Sequence, residues 1–277
     1  CPSLTCRLSA RAVRVELSMM VTLLKFQKPE SCPRRLTTQH DDEKLEVATT
    51  MFERPIDYPC AIADQTKEGA QAVLRWARQH TGAGQVLTLW VMQRGILNRT
   101  EFLQDLSKHE GVDLEIAVGK DVHRVNGPVL AMYPDAENLA YPAGAMGVTA
   151  LAVVQWSSPL ETWAREVNAE IVHTFEPVVD PGSLPGLEPE AELTPTIVDA
   201  LERITQMINH SNTIAAGRDK RDVVRPLLRL HDEGIILPPK KMAEWAVAHG
   251  WCRGNPKELI DLAKKINKGV RPRCKPY

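Results

Sequence analysis

The feature that most constrains the fold of this 277-residue chain is an alternation of short apolar runs with helix-like segments between residues 51 and 175. The apolar runs lie at residues 60–63, 85–92, 112–118, 128–133 and 148–154. One intervening segment begins near Thr66 and places Ala70, Val73 and Ala77 on one face at helical spacing. Strands that alternate with helices form a mostly parallel sheet covered on both faces. The pattern therefore predicts an α/β fold, with a three-layer domain over residues 51–175.

Two local signals add detail to this prediction. Asn126-Gly127 separates two of the apolar runs and predicts a hairpin turn between them. The sequence Ser-Pro-Leu-Glu at residues 158–161 combines a capping residue, a proline suited to the first helical position and a glutamate that closes a capping box. It predicts a helix that begins there, directly after the last apolar run.

The segments on either side of the α/β domain differ from it in composition. Residues 1–50 form an N-terminal extension, in which residues 13–24 alternate in hydrophobicity as a strand does. Residues 176–194 hold five acidic residues and four prolines but no lysine or arginine. A segment of this kind does not bury enough apolar surface to form a core, so we expect an exposed acidic, proline-rich linker.

Residues 195–277 show helical periodicity only. Ile197, Leu201 and Ile204 lie on one stripe, and three further helix-like segments follow. This predicts a small all-helical C-terminal domain. The region contains sixteen Lys and Arg residues against nine Asp and Glu, a net charge of +7, whereas residues 41–194 carry a net charge of −13. The contrast suits either a polyanionic partner or docking of the basic end on the acidic middle of the chain.

Composition is typical of a globular protein, since 43% of the residues are hydrophobic and 25% are charged. No two of the six cysteines have the spacing of a zinc knuckle or redox motif, and three lie in the first 32 residues. We therefore expect a reducing, cytoplasmic setting. Residues 138–160 contain no charged side chain, but Pro142, Gly144 and Gly147 interrupt them. They predict buried core and no membrane span.

Ligands of open parallel sheets bind beyond the carboxyl ends of the strands, and several reactive residues lie near the predicted strand ends. The candidate catalytic residues are Asp64, Asp135 and His123. The candidate ligand-binding residues are Arg94, Lys120 and Gln155. The two aspartates suit a divalent cation, the cationic side chains suit an anionic substrate group, and the histidine suits general-base catalysis. The alternative is that both aspartates cap the following helices and the histidine is a plain surface residue.

Three common site motifs are absent from the sequence: G-x-G-x-x-G, G-x-x-x-x-G-K-[ST] and G-x-S-x-G. The dinucleotide, P-loop and α/β-hydrolase interpretations therefore lack their phosphate cradle or nucleophile elbow. Nucleotide binding through other loops stays open, and no set of metal ligands is assigned.

The basic helical domain offers a different kind of site. Its candidate nucleic-acid-binding residues are Arg218, Arg221, Lys240, Lys241, Lys264, Lys265 and Lys268. The first functional hypothesis is a binding or regulatory protein whose helical domain contacts nucleic acid or a partner protein. The alternative is a metal-dependent enzyme that acts on a phosphorylated or nucleotide-like substrate at the strand ends, and only this alternative implies a cofactor. The sequence assigns no oligomeric state.

Overall fold

A computed structural model describes residues 56–111, 113–156, 159–174, 190–209, 213–251 and 253–274. The strands are β1 Cys60–Ala63, β2 Leu87–Val91, β3 Leu114–Val118, β4 Arg124–Met132, β5 Met146–Val154 and β6 Glu170–His173. The helices among and after them are α1 Lys67–Gln79, a 3-10 helix Arg94–Asn98, α2 Glu101–Ser107, α3 Ala140–Ala143, α4 Glu161–Glu166, α5 Pro195–Met207, α6 Gly217–Asp232, α7 Pro239–Ala248 and α8 Asn255–Asn267. The predicted N-terminal strand and most of the predicted linker lie outside the described residues.

The strands form a single parallel sheet in the order β3-β2-β4-β5-β1-β6. This confirms the predicted α/β class, with a mostly parallel sheet followed by a helical region. No described helix combines the length and the apolar character that crossing a bilayer requires.

Successive side chains of each central strand enter two different cores. In β1, Ala61 and Ala63 pack toward α1 and α2, whereas Cys60 and Ile62 pack toward the opposite face. Because strands covered on both sides alternate between two apolar environments, they read in the sequence as continuous apolar runs.

The second face of the sheet is covered partly by helices from the end of the chain. Trp163 of α4 packs there in one cluster with Ala243 and Val247 of α7 and with Ile260 of α8. The helices α5 to α8 also enclose a core of their own, in which Trp245 and other apolar side chains are buried. The C-terminal helices thus serve two cores at once.

The predicted hairpin at Asn126-Gly127 is wrong. Strand β4 runs through both residues and pairs in parallel with β2 and β5. Gly127 has a φ of 138°, and a Cβ atom there would lie 2.8 Å from the Val86 carbonyl oxygen. The glycine therefore permits close approach of two backbones within the sheet rather than a turn.

A helix does form at the residues 158–161 signal, as α4, but its first turn is capped by a residue that is distant in sequence. Its N-cap residue is Leu160, whose side chain makes no capping hydrogen bond. Instead, Glu244 of α7 accepts hydrogen bonds at Oε2 from the backbone N–H groups of Thr162 (2.8 Å) and Trp163 (3.2 Å). The carboxyl group of one helix thus satisfies the unpaired donors at the start of another.

Glu244 is almost completely buried at this contact, with 5% of its surface exposed. Burial raises its pKa from the ordinary value of 4.5 to about 7, although the hydrogen bonds from Trp163 and Thr162 act in the opposite direction. A folded-state pKa above the unfolded value means that this group stabilises the fold fully below about pH 4.5. That stabilisation is lost as the pH rises through about 7.

We expect Glu244→Gln to remove this pH dependence, because glutamine has the shape of the protonated acid. Relative to wild type, the free energy of unfolding of the variant should rise by about 2 kcal/mol between pH 5 and pH 8. Urea unfolding at both pH values measures the difference. Glu161→Gln is the control, since it removes an exposed carboxylate near the same helix terminus. Parallel pH profiles for Glu244→Gln and wild type would contradict the assignment.

Candidate functional site

The carboxyl ends of β4, β5, β1 and β6 form one continuous edge of the sheet. Tyr133 N–H donates to the Val154 carbonyl (2.8 Å) and Gln155 N–H to the Ala63 carbonyl (2.9 Å). Helix α1 leaves β1 toward one face, and α4 leaves β5 toward the other. The helices that follow the adjacent parallel strands β5 and β1 thus cover opposite faces of the sheet. Ligand sites of open α/β sheets lie at the carboxyl ends of such a pair of strands.

Asp64 and His173 lie side by side at this edge. The two residues are joined through the backbone, since Asp64 N–H donates to the His173 carbonyl (3.3 Å). They are joined again through their side chains, with 3.1 Å between Asp64 Oδ2 and His173 Nδ1. The other carboxylate oxygen of Asp64 accepts hydrogen bonds from the Thr66 N–H (3.0 Å) and the Thr66 hydroxyl group. Thr66, not Asp64, is the N-cap of α1.

These contacts favour the ionised form of Asp64. Burial raises the pKa of the Asp64 carboxyl, but the hydrogen bonds from Thr66 and His173 together lower it by more. The pKa therefore lies below the ordinary value of 3.8. The ionised carboxylate is only an acceptor, and His173 Nδ1 therefore carries the proton in the neutral ring. In that neutral form, the lone pair of Nε2 is an acceptor, on a side chain that is 34% exposed.

The start of α1 is built closely around the Asp64 carboxylate. Gly69 N–H donates to Thr66 Oγ1 (3.0 Å). A Cβ atom on Gly69 would lie 2.3 Å from Asp64 Oδ1 and 2.7 Å from the Asp64 carbonyl oxygen. Only glycine lets the first turn of α1 approach the carboxylate this closely.

An aromatic pair lies at the same edge, at the ends of β4 and β5. The rings of Tyr133 and Trp156 meet edge to face, with 4.9 Å between their centroids. Tyr133 has a φ of 56°, in the left-handed region that non-glycine residues seldom occupy. Trp156 is 53% exposed, whereas each of the other five tryptophans is at most 6% exposed.

Of the six predicted strand-end residues, Asp64 and Gln155 directly follow β1 and β5, which are adjacent in the sheet. Gln155 Oε1 accepts a hydrogen bond from the Leu160 N–H (3.3 Å). Asp135 is exposed, and its Oδ1 accepts from the Asn138 N–H (2.8 Å) and the Asn138 amide group (2.7 Å). Its contacts are those of a local turn, as in the capping alternative.

The remaining three predicted residues lie away from Asp64. His123 precedes β4 and is therefore at the amino-terminal edge of the sheet, opposite Asp64. Arg94 follows β2 and lies 3.6 Å from Glu110, and Lys120 follows β3 with its Nζ 5.7 Å from the centre of the Tyr141 ring. In the part of the chain that the structure describes, no three His, Cys, Asp or Glu side chains are arranged to hold a metal ion.

His173 is the site residue that sequence reasoning missed. It ends β6, a strand of four residues at the edge of the sheet. The signal was an apolar pair, Ile171 and Val172, directly before the acidic segment. The same rule that selects Asp64, a polar residue at the end of an apolar run, selects His173 once this run is read as a strand.

The basic residues of the helical region fall into two groups. Several are engaged by acidic groups: Arg218 lies 3.4 Å from Asp222, and Lys241 Nζ lies 2.7 Å from Glu192. Arg221, also beside Asp222, has only 16% of its side chain exposed. Lys240 has an exposed side chain, and its backbone N–H donates to Glu190 Oε1.

The second group consists of Lys264, Lys265 and Lys268 at the C-terminal end of α8. All three are exposed, and within the described residues none of them forms a salt bridge. The end of the helix is held in place by Asn267, whose amide donates to the Leu237 carbonyl (2.7 Å) and accepts from the Leu237 N–H (3.1 Å).

Residues 193–277 match a domain of unknown function, DUF1889. The matched region covers α5 to α8 and amounts to less than a third of the chain. No curated protein and no solved structure matches the chain. The DUF1889 region contacts the acidic part of the chain through His249, 3.2 Å from Glu166, and Lys257, 3.9 Å from Glu137. These contacts are of the kind that the docking alternative for the charge asymmetry requires.

We expect Gly69→Ala to destabilise the protein, because the new methyl group forces the Asp64 carboxylate or the first turn of α1 to move. The loss should be about 1–3 kcal/mol in the free energy of unfolding. Gly95→Ala is the matched control, since a Cβ atom there has no neighbour within 4 Å, and it should be neutral or slightly stabilising. Equal unfolding midpoints for the two variants would show that the glycine is not required at residue 69.

Proposed function

We propose that the DUF1889 region binds nucleic acid through the C-terminal end of α8. The observation that carries the proposal is the exposed group of Lys264, Lys265 and Lys268, which have no acidic partner within the described residues. Lys264 and Lys268 are four residues apart, so they lie on one face of the helix. Three adjacent ammonium groups of this kind suit phosphate groups, which bind proteins largely through release of counterions.

The charge of the surrounding region supports this choice. Residues 195–277 have a net charge of +7, and the engaged cations at Arg218 and Lys241 do not reduce the charge at the far end of α8. Lysines in the last turn also stabilise a helix by interacting with its dipole. That role needs no partner, so binding has to be measured directly.

The metal-dependent alternative has less support. It needs Asp64 and Asp135 in one site, but each is engaged in its own local hydrogen bonds, with Thr66 and His173 or with Asn138. The basic surface is therefore the better candidate for contact with phosphate groups.

We expect the triple variant Lys264→Gln, Lys265→Gln and Lys268→Gln to bind duplex DNA more weakly than wild type. The plot of log K against log salt concentration has a negative slope, and its magnitude should fall by about 2.7, because each lost phosphate contact lowers the magnitude by about 0.9. Fluorescence anisotropy with a labelled duplex, repeated over a range of salt concentrations, measures both quantities.

The matched control is the triple variant Lys67→Gln, Lys108→Gln and Lys120→Gln, which removes three exposed lysines from the α/β part of the chain. It changes the net charge equally and should leave the salt slope unchanged. An equal loss of DNA affinity in the two triple variants would show that net charge alone accounts for the effect. Binding that does not respond to salt, or is absent at low salt, would overturn the proposal in favour of a protein partner.

A further inference from the structure

We propose that the edge formed by the carboxyl ends of β4, β5, β1 and β6 binds an uncharged ligand with an aromatic ring and a hydroxyl group, such as a nucleoside. The ring contacts Trp156, and the hydroxyl group donates a hydrogen bond to His173 Nε2. This site is separate from the basic surface of α8 and does not depend on nucleic-acid binding there.

His173 offers a ring nitrogen, Nε2, to a ligand at this edge. Asp64 fixes the ring through Nδ1, and within the described residues Nε2 makes no hydrogen bond. A contact that served only to join β1 to β6 would need Nδ1 alone, and the backbone already joins these strands.

Trp156 offers an aromatic surface at the same edge. An exposed tryptophan at a strand end leaves a large apolar surface in water, and it is the residue type most often used to stack a planar ligand. Tyr133 supports it edge to face from a left-handed backbone conformation. Strained backbone conformations of this kind cluster at active sites and ligand sites.

The spacing of the strands indicates the length of the ligand. The ends of β5 and β6 are separated by one strand, β1, and neighbouring strands lie about 4.8 Å apart. Trp156 and His173 therefore follow strands about 10 Å apart. The separation fits a ligand whose ring and hydroxyl group are at opposite ends. Gln155 precedes Trp156, and its backbone N–H donates to the Ala63 carbonyl at the end of β1. Its amide group has donors suited to polar atoms in the middle of such a ligand.

The charge at this edge favours an uncharged ligand. Asp64 is ionised and directly behind His173. A phosphate group beside it would be repelled. Arg94 and Lys120, which were predicted to bind an anionic group, follow β2 and β3. These strands are at the opposite end of the strand order from β1 and β6.

Adenosine, adenine and ribose are suitable probes, because adenine lacks the hydroxyl groups and ribose lacks the ring. We expect isothermal titration calorimetry to show adenosine binding at least about tenfold more tightly than adenine, and no detectable binding of ribose. Since the other tryptophans are buried, adenosine should also protect the tryptophan fluorescence from acrylamide quenching by covering Trp156.

Two variants separate this site from a purely structural contact. Trp156→Ala changes an exposed side chain, and His173→Asn keeps a donor near the position of Nδ1 while removing the Nε2 acceptor. Each should weaken adenosine binding at least about tenfold without loss of the folded state, checked by thermal melting. His123→Asn, at the opposite edge of the sheet, is the matched control and should bind as wild type does.

Three results would overturn the proposal: no binding of adenosine at millimolar concentration, equal affinity for adenine and adenosine, or an equal loss of affinity in His123→Asn. None of them bears on DNA binding by the lysines of α8. The two proposals therefore succeed or fail separately.

Discussion

A parallel sheet is stable only when apolar side chains are covered on both of its faces, and the rest of this structure follows from that requirement. Helices α1 and α2 cover one face with residues close in sequence to the strands. The other face is completed by Ala243, Val247 and Ile260, which belong to the C-terminal helices. The region that matches DUF1889 is thus part of the core of the sheet as well as a candidate binding surface.

The fold class was predictable because buried parallel strands are apolar along their whole length, a signal that survives without knowledge of tertiary contacts. Two elements of the sheet were not predicted correctly, each for a specific reason. Strand β6 was missed because it is short and lies at the edge, where Ile171 is 64% exposed. The hairpin at Asn126-Gly127 was wrong because the glycine is required by the approach of the Val86 backbone, which precedes β2 and is distant in sequence.

The candidate site was only partly predictable, because local sequence patterns do not determine the order of strands in a sheet. Asp64 and Gln155 were found because each directly follows an apolar run. His123 was placed at the wrong edge because β4 begins at Arg124, earlier than the apolar run at residues 128–133 indicated. Arg94 and Lys120 also follow strands, β2 and β3. In the sheet, however, β4 and β5 separate these two strands from β1, the strand that precedes Asp64.

The contact between Glu244 and the first turn of α4 also has a consequence for synthesis on the ribosome. The residues it joins are 82 positions apart, so the sheet strands are made well before the helices that cover their second face. Translation at roughly 5–20 residues per second leaves Leu151, Val153 and Trp163 without that cover for a matter of seconds. During that interval the nascent chain presents an apolar surface of the kind that chaperones bind.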